Sequence, residues 1–252
     1  MNVHPMFSDP KVVKFLKKYE EVEGDWRSNV IKSKSNLKVR SAYIEKIKGF
    51  APKSLLDIGC GTGYSLVLIR SQLPGAGLYG IDIQDSKVWK TCNQYGFNIK
   101  FQKYGGSKIP FKNGMFDAIT MFGVLEHVAE DRKDYDIETL FLKEIRRVLK
   151  KDGVLLIFNL PNKYSYKEVV AQLFFNGFAH KKRFSRGTIL RLLKETGYKV
   201  LSIRNSDILP FGGGPARVVM PLLNAFSFMV DIEKHIEFPF AQSISIICKK
   251  ID

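Results

Sequence analysis

The residues best suited to chemistry begin with Leu55-Leu56-Asp57-Ile58-Gly59-Cys60-Gly61-Thr62-Gly63, three glycines at alternate positions behind an acid. Glycines remove Cβ atoms where a backbone turns sharply and a ligand lies close. The spacing is Gly-x-Gly-x-Gly; a nicotinamide-binding loop reads Gly-x-Gly-x-x-Gly, and a phosphate loop carries Gly-Lys-Ser/Thr. Asp82 ends Tyr79-Gly80-Ile81-Asp82, about 20 residues beyond the loop. A carboxylate there accepts hydrogen bonds from both hydroxyls of a ribose and disfavours a 2′-phosphate. Glu126-His127 follows Phe122-Gly123-Val124-Leu125. An imidazole titrates near neutrality, so His127 is a candidate general base, and Glu126 could orient it or bind a metal. The competing reading is that the pair starts a helix and satisfies local backbone groups. His180 lies in Phe178-Ala179-His180-Lys181-Lys182-Arg183-Phe184-Ser185. Two histidines and scattered acids lack metal-ligand spacing, so no metal is expected.

These groups need elements to hold them. Helical periodicity covers Pro10 to Phe50, broken by a polar stretch from Gly24 to Asn36. From Ser54 short apolar runs alternate with amphipathic ones. Strands are expected at Ser54–Ile58, Leu78–Ile83, Ile99–Lys103, Phe116–Met121, Val154–Phe158, Lys199–Arg204 and Ser243–Cys248. Helices are expected at Tyr64–Gln72, Ser86–Tyr95 and Ile137–Leu149, the last with Leu140, Phe141, Ile145 and Val148 inward. Ser185 caps a helix to Thr196, stopped by Gly197. Asp152-Gly153 reads as a turn, and Asn159-Leu160-Pro161-Asn162 as a loop. Such alternation predicts an α/β fold: a Rossmann-like seven-stranded, mostly parallel sheet with helices on both faces and an antiparallel last strand. Ligands then bind at the carboxyl ends of the strands.

Together with Ile109-Pro110-Phe111-x-x-Gly-x-Phe116-Asp117, these motifs make residues 54–158 resemble the class I S-adenosylmethionine (SAM)-dependent methyltransferases. The resemblance is strongest to the small-molecule group (methyltransferase types 11 and 12) that includes quinone-biosynthesis enzymes. It implies SAM as cofactor, S-adenosylhomocysteine as product, and methyl transfer to an oxygen or carbon of a small or lipid-like acceptor. It implies that Gly59, Gly61 and Gly63 approach the methionine part and that Asp57 orders the loop and meets the amino group. Cys60 and Tyr64 complete that wall. Asp82 holds the ribose, Ile83 packs on the adenine, Gly106 and Ser107 lie at the adenine end, and Phe122 and Gly123 flank the sulfonium. His180 and Arg183 resemble a His-x-x-Arg-Phe-Ser/Thr element before a late helix, which either faces the acceptor or simply fixes the loop. One departure is visible: after the third strand relatives often carry an acid, and Tyr104-Gly105-Gly106-Ser107 has none.

The chain has 252 residues and a net charge of +15. Residues 141–204 hold 15 Lys or Arg against 4 Asp or Glu. Such a surface suits anionic partners or solubility alone. Residues 1–53 read as an N-terminal helical extension and residues 54–252 as the cofactor-binding domain. Within it residues 208–240 form an apolar insert with Leu222, Leu223, Phe226, Phe228 and Met229, suited to a substrate lid, a dimer contact or a peripheral contact with anionic membrane. RNA methylation and a non-catalytic binding role are the alternatives. The charge encourages the RNA reading, but no aromatic–basic repeat accompanies it. Three unpaired cysteines and the absence of a signal-type run point to the cytoplasm. Oligomeric state is not legible.

Overall fold

Leu55 and Leu56 are adjacent in sequence and face opposite ways, each against its own layer of helices. That division organises the whole molecule. The computed structural model describes residues 9–23, 34–105, 108–175, 180–208, 226–233 and 235–251. The helices are α1 (Pro10–Glu23), α2 (Lys34–Lys48), α3 (Tyr64–Gln72), α4 (Lys87–Gln94), α5 (Asp136–Val148), α6 (Tyr166–Phe175), α7 (Arg186–Glu195) and the short α8 (Met229–Ile232). The strands are β1 (Ser54–Ile58), β2 (Gly77–Asp82), β3 (Ile99–Lys103), β4 (Phe116–Phe122), β5 (Leu149–Pro161), β6 (Tyr198–Ser206) and β7 (Ser243–Lys250). They form one sheet in the order β3-β2-β1-β4-β5-β7-β6. β3 through β5 pair in parallel, and β7 lies antiparallel between β5 and β6.

The central strands are apolar on both faces because both faces are covered. On one side Leu55, Leu78 and Leu156 meet α1, α2, α3 and α4 through Phe15, Ile44, Ile47, Leu66 and Val88. On the other Leu56, Ile119 and Leu155 meet α5 and α7 through Leu142, Ile145, Ile189 and Leu193. The N-terminal helices therefore share a core with the sheet. Chain reversal in the order (β1 outward to β3, then back to β4) opens a crevice at the carboxyl ends of β1 and β4, where ligands bind in such sheets.

The expected β1, α3 and β3 match to the residue, and the Ser185 hydroxyl accepts the Thr188 N–H at 3.1 Å as the expected cap. Other readings need correction. Leu140 is 61% exposed, because the inward stripe of α5 is Glu138, Leu142, Ile145 and Val148. Asp152-Gly153 is not a turn ahead of the strand: β5 starts at Leu149 and runs through Asp152, which takes a left-handed conformation (φ 61°), with a register shift against β4. Asn159, Leu160 and Pro161 are the end of β5 rather than a loop, with Asn159 also left-handed (φ 58°) at a second register shift, against β7. Helix α6 was not legible as an element. Most of the apolar insert, residues 209–225, lies outside the described residues.

Candidate functional site

The glycine loop is built by its neighbours. Gly59 and Cys60 both donate their N–H groups to the Ile81 carbonyl, at 2.8 and 3.1 Å, pinning the loop to β2. Gly59 has φ +68°, and a Cβ there would sit 2.4 Å from Val124 Cγ2; Gly63 has φ +83°, and a Cβ would sit 2.5 Å from the Phe101 ring. Glycine at these two positions answers to protein packing. Only Gly61 faces open space, with nothing within 4 Å of its Cβ position. The ligand-facing part of the loop is thus narrower than the motif suggests.

Two acids hold the loop. Asp82 Oδ2 accepts the Gly61 N–H at 2.7 Å, and Oδ1 accepts the Gln84 N–H at 3.1 Å. Asp57 is buried and accepts the Thr120 hydroxyl at 2.7 Å, tying β1 to β4. Burial pushes the Asp57 carboxyl up to about 7, opposed by the Thr120 hydrogen bond and by Arg40. Ile83 is 67% exposed at the cleft rim rather than packed in the core. Cys60 is buried, and burial raises its thiol pKa. Tyr64 is buried against Tyr19 of α1 with its hydroxyl unpartnered. Gly106 and Ser107 lie outside the described residues.

Gly59, Asp82, Ile83, Tyr104, Gly123, His127 and Leu140 converge on a cleft of about 520 Å³. Leu140 is exposed because it borders this cleft. The ring of Phe122 packs on Phe158 with 5.2 Å between centroids, and the Arg40 guanidinium lies over it at 4.8 Å. Arg40 also donates to Ser65 Oγ at 3.1 Å. Arg40 was not singled out from the sequence, because only the packing of α2 across β4 brings it here.

His127 sits on the short turn Leu125–His127 and is half exposed. Its Nε2 is 3.8 Å from Glu126 Oε1 and its Nδ1 is 3.5 Å from Glu130 Oε2. Glu126 is 2% exposed, and its Oε2 has no hydrogen-bond partner. Burial pushes its carboxyl up to about 7. Asn159 brings a second buried, unpartnered oxygen, Oδ1. Both side chains flank Gly123: a Cβ there would lie 3.3 Å from Glu126 Oε1 and 4.0 Å from Asn159 Cβ. The sequence held one signal for Asn159, an asparagine at a strand end, where left-handed conformations are tolerated. The His180 ring is 6.2 Å from that of His127, and its Nδ1 is 3.0 Å from buried Glu168. Lys182 is buried in an ion pair with Glu138, anchoring the 180–183 segment on α5. Arg183 instead lines a separate polar cleft of about 420 Å³ with Lys163 and Lys181. Among the described residues no cluster could hold a metal ion.

A family model described as a methyltransferase domain matches residues 35–203. The chain belongs to this family. The match begins at the second residue of α2 and therefore takes in Arg40. A protein of Methanocaldococcus jannaschii with no assigned function is 33% identical over 152 residues, 58% of this chain and 53% of that protein. The demethylmenaquinone methyltransferase of Thermus thermophilus is 26% identical, over 50% of this chain and 56% of that enzyme. The chain thus spans about half the length of these two relatives. A SAM-dependent methyltransferase structure from Aquifex aeolicus superposes with a TM-score of 0.58 at 18% identity, covering 89% of this chain and 98% of that one. A structure from Galdieria sulphuraria described as a sarcosine dimethylglycine methyltransferase gives 0.60 at 16%. These two show a shared fold. The cleft suits the cofactor: Gly59, the Asp82 carboxylate and an exposed Ile83 border one concavity.

Proposed function

We propose that this protein transfers a methyl group from SAM to an oxygen or carbon of a small or lipid-like acceptor. The observation that carries the reading is the convergence of Asp82 and Ile83 with His127 on one cleft. When bound, SAM supplies a methyl group activated on a sulfonium. Asp82 holds the ribose hydroxyls, and Ile83 gives the adenine an apolar face. Asp57 orders the loop, and Arg40 offers a cation to the carboxylate of the methionine part. Phe122 and Gly123 flank the reacting centre. His127 takes the proton that the acceptor atom gives up, and Glu126 lies behind its Nε2. The unpartnered oxygens of Glu126 and Asn159 suit a donor group, such as a hydroxyl, on the acceptor. His180, set on Glu168, faces the acceptor beside His127.

Positioning supplies most of the acceleration, since proximity and orientation alone can contribute about 7–11 kcal/mol. The lipid-like part of the reading draws on α6, where Val169, Val170 and Leu173 are exposed after Lys163 and Lys167, and on the apolar composition of residues 208–240. Among the described residues no helix is long and apolar enough to cross a membrane. The test is calorimetry with SAM, followed by labelled-methyl transfer into lipid extract, small-molecule extract and RNA. Binding with label in either of the first two supports the reading. Label in RNA alone replaces the acceptor class, and absence of SAM binding removes the enzyme reading.

A further inference from the structure

Gly61 has open space at its Cβ position and a φ of +53°. Glycine enters that conformation without strain and leaves it as readily, so the peptide groups on either side of Gly61 need holding. Asp82 takes the N–H. The carbonyl is taken by Trp89, whose indole Nε1–H donates to the Gly61 oxygen at 2.8 Å. Both backbone groups of Gly61 are thus committed to side chains. Both side chains flank one connection: Asp82 ends β2, and Trp89 stands in the first turn of α4. Cys92, one turn further along α4, brings its thiol within 4.0 Å of the next carbonyl, that of Thr62.

Trp89 is itself fixed. Its ring lies flat on Phe101 of β3, with 5.0 Å between centroids and 3° between planes. Phe101 in turn occupies room left by two glycines. A Cβ at Gly63 would lie 2.5 Å from Phe101 Cζ, and one at Gly80 would lie 2.9 Å from Phe101 Cδ1. The stack therefore stands between β2, the glycine loop and α4, and it aims the indole N–H before any ligand arrives. Trp89 is not among the residues that line the cofactor cleft. Whatever it does for a ligand there, it does through Gly61.

We propose that Trp89 is a positioning residue for the cofactor. Its indole N–H holds the peptide between Gly61 and Thr62 in one orientation, which keeps the Gly61 N–H on Asp82 and the loop shaped for the methionine part of SAM. The inference rests on SAM occupying the cleft beside Asp82, and it adds a residue from outside that cleft. Without the indole donor the peptide turns freely, because Gly61 has no Cβ to hinder it, and Asp82 loses its partner for part of the time.

The test uses the full chain and S-adenosylhomocysteine, with calorimetry for affinity and the indole N–H signal in NMR as the local reporter. Trp26→Phe removes the other tryptophan and leaves the Trp89 signal alone. That signal is expected to shift saturably as the ligand is added. Trp89→Phe keeps a ring on Phe101 and removes the donor. Its dissociation constant should rise about 3- to 10-fold, the scale of one neutral hydrogen bond. Trp89→Phe combined with Asp82→Asn should lose less than the product of the two single losses, because either change already releases Gly61. A tryptophan that only supports the fold would leave its indole signal unmoved by the ligand. Should Trp89→Phe fail to fold, the indole response of the Trp26→Phe chain decides alone. Calorimetric binding with a silent indole signal, or Trp89→Phe within a factor of about 1.5 of the parent, overturns the proposal and leaves the cofactor reading standing. Absence of binding by the parent chain removes the cofactor reading and the proposal with it.

Discussion

Asp82 and Gly61 are joined by a hydrogen bond of 2.7 Å, from the loop N–H to the carboxylate that ends β2. One acid therefore shapes the glycine loop and faces the cofactor cleft. This coupling adds a loop anchor to the ribose contact proposed for Asp82. Asp82→Ala removes the anchor and the ribose acceptor together. Each charge-assisted bond is worth about 1.5–3 kcal/mol, so the dissociation constant for S-adenosylhomocysteine should rise about 100-fold or more by calorimetry. Asp82→Asn keeps an acceptor for Gly61 and should lose about tenfold. Affinity within a factor of about three in Asp82→Ala would remove Asp82 from the cofactor site.

His127 is held loosely, 3.8 Å from Glu126 and 3.5 Å from Glu130, with half of its surface in solvent. A proton acceptor at a cleft mouth needs that freedom. His127→Ala should lower single-turnover methyl transfer by about 10²- to 10⁴-fold, the usual range for a lost general base. Cofactor affinity should not change, because Asp82 and the loop are untouched. Unaltered transfer would leave His127 a surface residue.

The parts of this fold that were legible in advance are those determined locally. The run Leu55 to Gly63 carries its strand, turn and helix start in consecutive residues, and the structure matches it to the residue. Asp82 was legible because it sits at a fixed distance along a short strand. Leu140 was misread because Leu140, Phe141 and Leu142 are contiguous apolar residues, and periodicity alone does not choose which of them turns inward. Arg40 was missed because its role depends on α2 crossing Phe122, a contact between residues 82 apart in sequence. Asn159 was missed because a register shift against β7 turns its side chain, and no local pattern encodes a pairing partner that comes more than 80 residues later. A Cβ at Gly61 would meet nothing within 4 Å, whereas Gly59 and Gly63 are crowded by Val124 and Phe101, which no spacing of glycines reveals.

That last point is separable by mutation. Gly59→Ala meets Val124 Cγ2 at 2.4 Å and must also hold φ +68°. Overpacking costs about 1–3 kcal/mol and a left-handed non-glycine residue about 1–2 kcal/mol. Urea unfolding should therefore show a loss of about 2–5 kcal/mol. Adding Val124→Ala should return the overpacking share and leave the backbone share. A double variant no more stable than the additive expectation would show that Val124 does not set the requirement for glycine.

Glu126 gives a prediction with a pH signature. Its folded pKa is near 7 because it is buried, against 4.5 as an ordinary glutamate. Between those values the folded chain holds a proton that the unfolded chain has released. Stability must then fall as pH rises from about 4.5 to 7, and level off above. Glu126→Gln lacks the Glu126 share of that slope. The variant should match the parent near pH 4 and exceed it by about 3 kcal/mol at pH 8, an upper figure from 1.36 kcal/mol per pKa unit. Asp57 is raised in the same direction, but it is present in both proteins and cancels. Repeating the comparison in His127→Ala separates the neighbouring imidazole, whose charge lowers the Glu126 value. The advantage should then persist, because burial is the larger cause. A stability difference that stays constant from pH 5 to 8 would mean that Glu126 is ionised throughout, and that it meets the acceptor as a carboxylate rather than a carboxylic acid.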